Sequence, residues 1–351
     1  MSLFDRDRSH ERMPVSVITG FLGSGKTTLL NHLLQRPELA DSAVIINEFG
    51  EVGLDHLLIE AIDGEVAVLS SGCVCCTLRS DLEATLRDLL ARRDRGEVPP
   101  FRRVLVETTG LADPAPIVQT LLNNPLVSRY VRLDSIVATV DAVNGGAQLD
   151  AHGEAVKQAA IADRIFITKT DIADEAARLS LEERLTILNP GASREAIAHG
   201  VVEPDRLFGA ALFDPGAKSP DARQWLNEEA YHHHHHHHHD GHSRHDSGIS
   251  AFSVAAGSPL DWSTVAGWLG ALRQWHGAHL LRVKGILDLD GENAPVAIHG
   301  IHHVFHPPVQ LAAWPDGPRR SCIVFIVQGL DPDLIRGSWE ERVVRSRAPA
   351  P

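Results

Sequence analysis

The stretch Val15–Leu30, VSVITGFLGSGKTTLL, decides the fold. Val15, Val17, Ile18 and Thr19 form a short run rich in β-branched residues, which breaks into glycines and then into a leucine-rich helical pattern. β-Branched side chains favour extended backbone, and Gly permits the tight loop that follows. Gly20, Gly25, Lys26 and Thr27 match G-x-x-x-x-G-K-[ST] in the strand–loop–helix setting that this pattern requires. Such a loop turns backbone N–H groups inward round a phosphate, and the next helix adds the positive end of its dipole. Lys26 is placed to neutralise β- and γ-phosphates, and the Thr27 hydroxyl to take a position on Mg²⁺.

Composition agrees with a folded enzyme. At 351 residues the chain has the length of about two domains, and 43% hydrophobic content supplies their cores. No apolar run approaches the ~20 residues that span a bilayer. The start, MSLFDRDRSHERMP, is charged and lacks the apolar segment of a secretory signal, so the expectation is a cytoplasmic protein. The 33 basic and 46 acidic side chains give a net charge of −13, which argues against nucleic acid as the main partner and suits a protein that handles cations. Of the four cysteines, Cys73, Cys75 and Cys76 are too crowded for a disulfide framework.

Further along, residues 1–12 read as a disordered leader and Ala43–Ile46 as a second buried strand. That strand runs into Asn47–Asp55, a stretch holding Glu48, Glu51 and Asp55 with two glycines. This is where a nucleotide-sensing switch belongs in a phosphate-loop enzyme, and a solvated acidic turn is the alternative. Val66–Leu69 is a short apolar strand leading to Ser70-Ser71-Gly72-Cys73-Val74-Cys75-Cys76. Thiolates this close repel one another and oxidise readily, so a soft cation accounts best for the arrangement. Three sulfurs leave one tetrahedral position for a carboxylate such as Glu48 or for a receiving protein. A buried structural trio and an oxidisable pair are the alternatives. Cys322, inside the apolar run SCIVFIV, reads as a core residue.

Asp81–Arg93 has helical apolar spacing, and Arg103–Val106 is a buried strand that ends in Glu107-Thr108-Thr109-Gly110. An acid at the carboxyl end of an apolar strand, with a glycine that can approach a γ-phosphate, is the Walker B and second-switch arrangement. Glu107 would reach Mg²⁺ through water or orient the attacking water. Ser135–Val140 and Arg164–Thr168 supply two more strands, separated by a helix near Glu154–Ala162. The second ends in Thr168-Lys169-Thr170-Asp171. Guanine offers N1–H and N2–H₂ donors that one carboxylate accepts together, so Asp171 fits as the base reader with the Lys169 stem over the ring.

The segments GFLGSGKTT, INEFGEVGLD, SSGCVCCTL, ETTGLADP and TKTD, in this order, resemble the CobW-type family of P-loop GTPases that act as metallochaperones or metal-insertion factors. The resemblance is close from Val15 to Ala173, and LLRVKGILDLDG and HGIHHVF extend it to the family's C-terminal domain. It implies a P-loop NTPase domain with a doubly wound, mostly parallel α/β sheet, then a smaller α+β domain. It also implies GTP–Mg²⁺ held by Gly20, Gly25, Lys26, Thr27 and Asp171; Gly23, Ser24, Thr28, Gly110 and Lys169 complete the candidate nucleotide set, and Lys26, Glu107 and Asp55 are the catalytic candidates. The implied metal ligands are Cys73, Cys75 and Cys76, beside which Glu48 is the carboxylate candidate for the fourth position, and zinc is the usual cargo, with cobalt an alternative. Thr168 stands where many GTPases carry Asn to tie the base loop to the phosphate loop, a task a hydroxyl can also perform.

Leu181–Leu188 and Ala192–His199 read as the last helices of the first domain. Tyr231 is followed by eight histidines, His232–His239, and then by His242 and His245 among acids. Such a tract packs no core. Its internal position argues against a tag and for a flexible linker that loads or buffers metal. Beyond it, Ile249–Val254, His279–Leu289, Ala294–Phe305 and Ser321–Gln328 read as strands, with a Trp-bearing helix near Trp262–Leu272 and a final helix over Asp331–Val344. On the third of these strands His299, His302, His303 and His306 are spaced to share faces in alternation, as satisfied histidines or as a metal or partner surface. The expected domains are 13–222, a linker at 223–247, and 248–345. Together these readings describe a Mg²⁺-dependent GTPase that carries a transition metal to client metalloproteins, with neither membrane nor nucleic acid as partner and with room for homo-oligomers. A cobalt or iron insertion factor, for one enzyme or the cobalamin pathway, and a His-rich storage protein are the alternatives.

Overall fold

The computed structural model describes residues 11–47, 68–70, 78–209, 248–311, 313–314 and 319–345. Among the expected site residues, Glu48, Asp55, Cys73, Cys75 and Cys76 lie outside the described residues, as do residues 1–10 of the leader and the tract from His232 to His245.

The chain forms two compact units. In the first, β1 (Met13–Gly20) leads through the glycine loop to α1 (Lys26–Leu34). Then come β2 (Ser42–Asn47), β3 (Val68–Ser70), α2 (Leu78–Asp94), β4 (Arg103–Thr108), α3 (Ala115–Asn123) and β5 (Val131–Asp141). The unit continues with α4 (Gly145–Ala151), α5 (Gly153–Ile161), β6 (Arg164–Thr168), α6 (Glu175–Leu188) and β7 (Ser193–Ala196). The seven strands stand in the order β3-β2-β4-β1-β5-β6-β7, every pairing parallel. β1 is the central strand, with Val15, Val17 and Ile18 as its apolar side chains. It is buried on both faces from Val15 onward, as a parallel strand covered on each side must be. Leu29, Leu30, Leu33 and Leu34 of α1 join Ile18, Val44, Ile46, Leu105, Val137 and Phe166 in one core, so the phosphate-loop helix is fixed by packing rather than by a side-chain cap. Strand order reverses about β1 and β4. The loops at the carboxyl ends of these strands therefore open on a crevice, the usual ligand position in an open α/β sheet.

In this unit one element differs from the expectation. Ala192–His199 contains no helix; Ser193–Ala196 is the edge strand β7, paired to Arg164–Ile167. Neither face of this edge strand is fully buried, so its residues lack the period-two alternation by which strands are recognised.

The second unit holds β8 (Ile249–Ala256), α7 (Trp262–His276), β9 (Leu280–Leu287), β10 (Val296–Ile301), β11 (Val304–Phe305), β12 (Val309–Gln310), β13 (Ser321–Gln328) and α8 (Pro332–Trp339). Its antiparallel sheet runs β11-β10-β9-β13-β8, with β12 also on β10. The expected single strand Ala294–Phe305 is instead the hairpin β10–β11. His302 turns it in a left-handed conformation at φ 51°, so the four histidines do not alternate along one strand. Both helices pack on the face that carries Phe252, Val283, Ile298 and Phe325. Trp268 meets Trp339 at 5.0 Å between ring centroids, and each indole N–H is satisfied, by Ser338 Oγ and the Ala255 carbonyl. Trp339→Ala is expected to cost about 3–5 kcal/mol, the range for deleting a buried indole. Denaturant unfolding of the isolated variant checks this. No helix among the described residues is long and apolar enough to cross a membrane.

Candidate functional site

The glycine loop is set by close approach. Gly20 has φ 144°, and a Cβ there would collide with the Thr139 hydroxyl and carbonyl and with Ser24 Oγ. Gly25 takes φ 91° immediately before α1. These two positions need Gly because L side chains rarely tolerate that backbone. Ser24 Oγ and Thr139 Oγ1 share a hydrogen bond of 2.7 Å, tying the loop to β5. The buried Lys26 ammonium donates to the Gly20 carbonyl at 3.0 Å and to the Phe21 carbonyl at 3.2 Å. Thr27 Oγ1 donates to Glu107 Oε1 at 2.9 Å. The hydroxyl of the first helical turn and the acid of β4 thus come together across 80 residues of sequence. Gly110 is pressed against the loop: a Cβ there would stand 2.6 Å from the Leu22 nitrogen.

The second half of the site follows β6. Thr168 Oγ1 donates to the Ser24 carbonyl at 2.7 Å, so the hydroxyl ties the TKTD loop to the phosphate loop. Lys169 has φ 57°, and its ammonium pairs with Asp141 Oδ2 at 2.7 Å. Burial pushes the Asp141 carboxyl up, but hydrogen bonds from Lys169, the Asn144 amide and the Val143 and Asn144 backbone outweigh it and hold the group below the usual carboxylate range. The Asp141 carboxylate therefore holds the Lys169 ammonium, which tethers the Lys169 stem. Asp171 keeps one side open, with His199 Nε2 3.7 Å from its Oδ2. The loop carrying His199 is held by Thr170 Oγ1 on the Ile197 carbonyl and by Gly200, φ 74°, packed on the Thr28 backbone.

The structure thus gathers Gly20, Ser24, Gly25, Lys26, Thr27, Glu107 and Gly110 around one loop, and joins Thr168, Lys169 and Asp171 to it through Ser24. Gly23 at φ 71° has open space round it, and Thr28 is exposed on α1. A groove of about 1040 Å³ lies elsewhere, at the amino ends of the strands by Met13, Phe101 and Tyr130, and includes none of these residues. Among the described residues no group of three or more His, Cys, Asp or Glu could hold a metal ion.

A family model for the CobW/HypB/UreG nucleotide-binding domain matches residues 14–194, just over half of the chain. The chain belongs to the CobW/HypB/UreG family. A second model, the C-terminal domain of the cobalamin synthesis protein cobW, matches residues 249–343. The zinc chaperone YjiA of Escherichia coli (strain K12) is 35% identical over 325 residues, covering 93% of this chain and 97% of that protein. The crystal structure of the Zn(II)-bound YjiA GTPase from E. coli aligns with a TM-score of 0.70 at 29% identity, over 94% of this chain and 99% of that one. The zinc-regulated GTPase metalloprotein activator 1 of Schizosaccharomyces pombe is 32% identical over 194 residues, 53% of this chain and 46% of that protein.

In this CobW/HypB/UreG member, sequence reasoning missed three contributors. Asp141 ends an apolar strand as Glu107 does, and that shared pattern was the signal available for it. Thr139 offered none, because its role is contact with a loop 115 residues away. His199 was hidden by the helical reading of its segment.

Proposed function

We propose that this chain is a GTPase that carries zinc on thiolates and delivers it to client metalloproteins. Gly20, Gly23, Ser24, Gly25, Lys26, Thr27 and Thr28 cradle the phosphates, Lys169 packs on the base, and Asp171 reads it. The bonding present supports this assignment. The Lys26 ammonium is buried within the loop, and the Thr27 hydroxyl sits on Glu107, the relation in which a Mg²⁺-ligating hydroxyl and an acid beyond it would stand. Mg²⁺ supplies charge neutralisation at the phosphates when bound. Glu107 bonded to Thr27 favours the water-mediated of the two roles open to it, and Asp55 remains the further catalytic candidate from the first switch. Adenine lacks the donor pair that Asp171 can accept, so GTP is the substrate.

Cys73, Cys75 and Cys76 are the cargo ligands, with Glu48 as the fourth, and soft thiolates suit zinc. The observation that carries the coupling is a shared register. Ile46 of β2 is the partner of Ser70 on β3 and of Glu107 on β4. Adjacent strands stand about 4.8 Å apart, so the strand end that feeds the cysteines is about 10 Å from Glu107. A γ-phosphate that orders the loops at these strand ends changes the thiolate geometry, and by linkage the metal strengthens GTP binding equally. The protein works in the cytoplasm, with 13–222 as the nucleotide domain, 223–247 as a His-rich loading segment and 248–345 as the client-facing domain.

Phosphate release from GTP and from ATP, with and without Mg²⁺, tests the first half. The reading requires release from GTP alone and its loss on Mg²⁺ removal; equal ATP turnover contradicts it.

A further inference from the structure

Helix α5 holds a side chain that the phosphate loop itself does not account for. Gln158 is 1% exposed, and its Nε2 donates to two backbone carbonyls, Gly110 at 3.1 Å and Ala112 at 3.0 Å. The two acceptors fix the amide orientation, since the flipped group would set its oxygen against both carbonyls. Oε1 is buried with no hydrogen-bond partner. A buried acceptor left unpaired is unfavourable, so an apolar side chain of this length would fill the space better. What Gln158 contributes is the pair of donated bonds.

Those bonds act on the loop nearest the phosphates. Gly110 lies against the Leu22 backbone, and the neighbouring Lys157 ammonium pairs with Asp113 Oδ2 at 3.1 Å, so α5 grips the loop at both ends. The α4–α5 pair also touches the front of the phosphate loop. The Phe21 ring stacks on His152 at 4.4 Å between centroids, and Gln148 Nε2 donates to the Leu22 carbonyl at 3.5 Å. One support therefore holds both Phe21–Leu22 and Gly110–Asp113.

We propose that Gln158 is a positioning residue for GTP hydrolysis: by pinning the Gly110 and Ala112 carbonyls it fixes the Gly110 backbone where a γ-phosphate is sensed. The inference rests on the GTPase reading. GDP has no γ-phosphate, so Gln158 affects triphosphate states and leaves GDP binding alone.

The test uses full-length Gln158→Met, which matches the length but cannot donate, and Gln158→Glu, which keeps the shape and loses the amide donor. GDP and GTPγS affinities and GTP turnover are measured on both and on the wild type. The expected result is GDP affinity close to wild type, with kcat for GTP and the GTPγS/GDP preference each reduced about tenfold, as for loss of an interaction used only with the γ-phosphate. Wild-type turnover in Gln158→Met overturns the proposal, and so does an equal loss of GDP and GTPγS affinity in both variants, which marks a purely structural role. A wild type that neither binds nor hydrolyses GTP would overturn the nucleotide reading itself.

Discussion

Asp171→Asn is expected to weaken GTP binding by about 10²–10⁴-fold and to raise affinity for xanthosine triphosphate. One carboxylate accepts two bonds from guanine, and bonds to a charged group contribute about 1.5–3 kcal/mol each, so the pair sums to about 3–6 kcal/mol. Asn presents N–H where the base also presents N–H, which adds repulsion. Xanthine has a carbonyl at that position, and the Asn donor then finds a partner. Asp171 can be changed without disturbing the core because its loop is held by other groups, Thr168 on Ser24 and Lys169 on Asp141. Competition against a fluorescent GDP analogue measures both nucleotides. Unchanged GTP affinity in this variant would remove Asp171 from the base site.

The second large effect concerns Lys26. Its ammonium is the buried cation of the glycine loop, on the Gly20 and Phe21 carbonyls. In the proposed site, Lys26→Ala removes the charge assigned to the transferring phosphoryl group and leaves those carbonyls without this donor. The expected loss in kcat is on the order of 10²–10³-fold, the scale of one preorganised electrostatic contact. Arg does not substitute, since its planar fork does not fit a site made for a compact ammonium. Single-turnover phosphate release at saturating GTP gives the number, and a denaturant curve shows whether the fold survives. Hydrolysis at the wild-type rate would contradict the role.

Much of this site was legible in the sequence because its strongest signals are local. Gly20 to Thr27 is a contiguous pattern in a strand–loop–helix setting, and Glu107 ends an apolar run. Thr168 was also readable, as a hydroxyl able to replace an amide tether, and it donates to the Ser24 carbonyl. What was not legible depends on chain segments meeting across the sheet. Gln158 sits in a helix whose sequence gives no hint of its two carbonyl acceptors 46 and 48 residues away. Strand β7 carries no strand signal, because neither of its faces is fully buried and the pattern that marks a half-buried strand is absent. The hairpin turn at His302 has a different cause: its left-handed residue is a His rather than the Gly or Asn-Gly that marks a tight hairpin in sequence.

The coupling proposed above between the nucleotide at the end of β4 and the cargo metal beyond β3 has a direct test. Zinc is titrated against a chromophoric chelator with GTPγS–Mg²⁺, with GDP–Mg²⁺ and without nucleotide, on the wild type and on a Cys73/Cys75/Cys76→Ser variant. The expected result is tight zinc binding that depends on these cysteines and is stronger with GTPγS than with GDP. Zinc affinity that is indifferent to nucleotide, or unchanged in the serine variant, would contradict it.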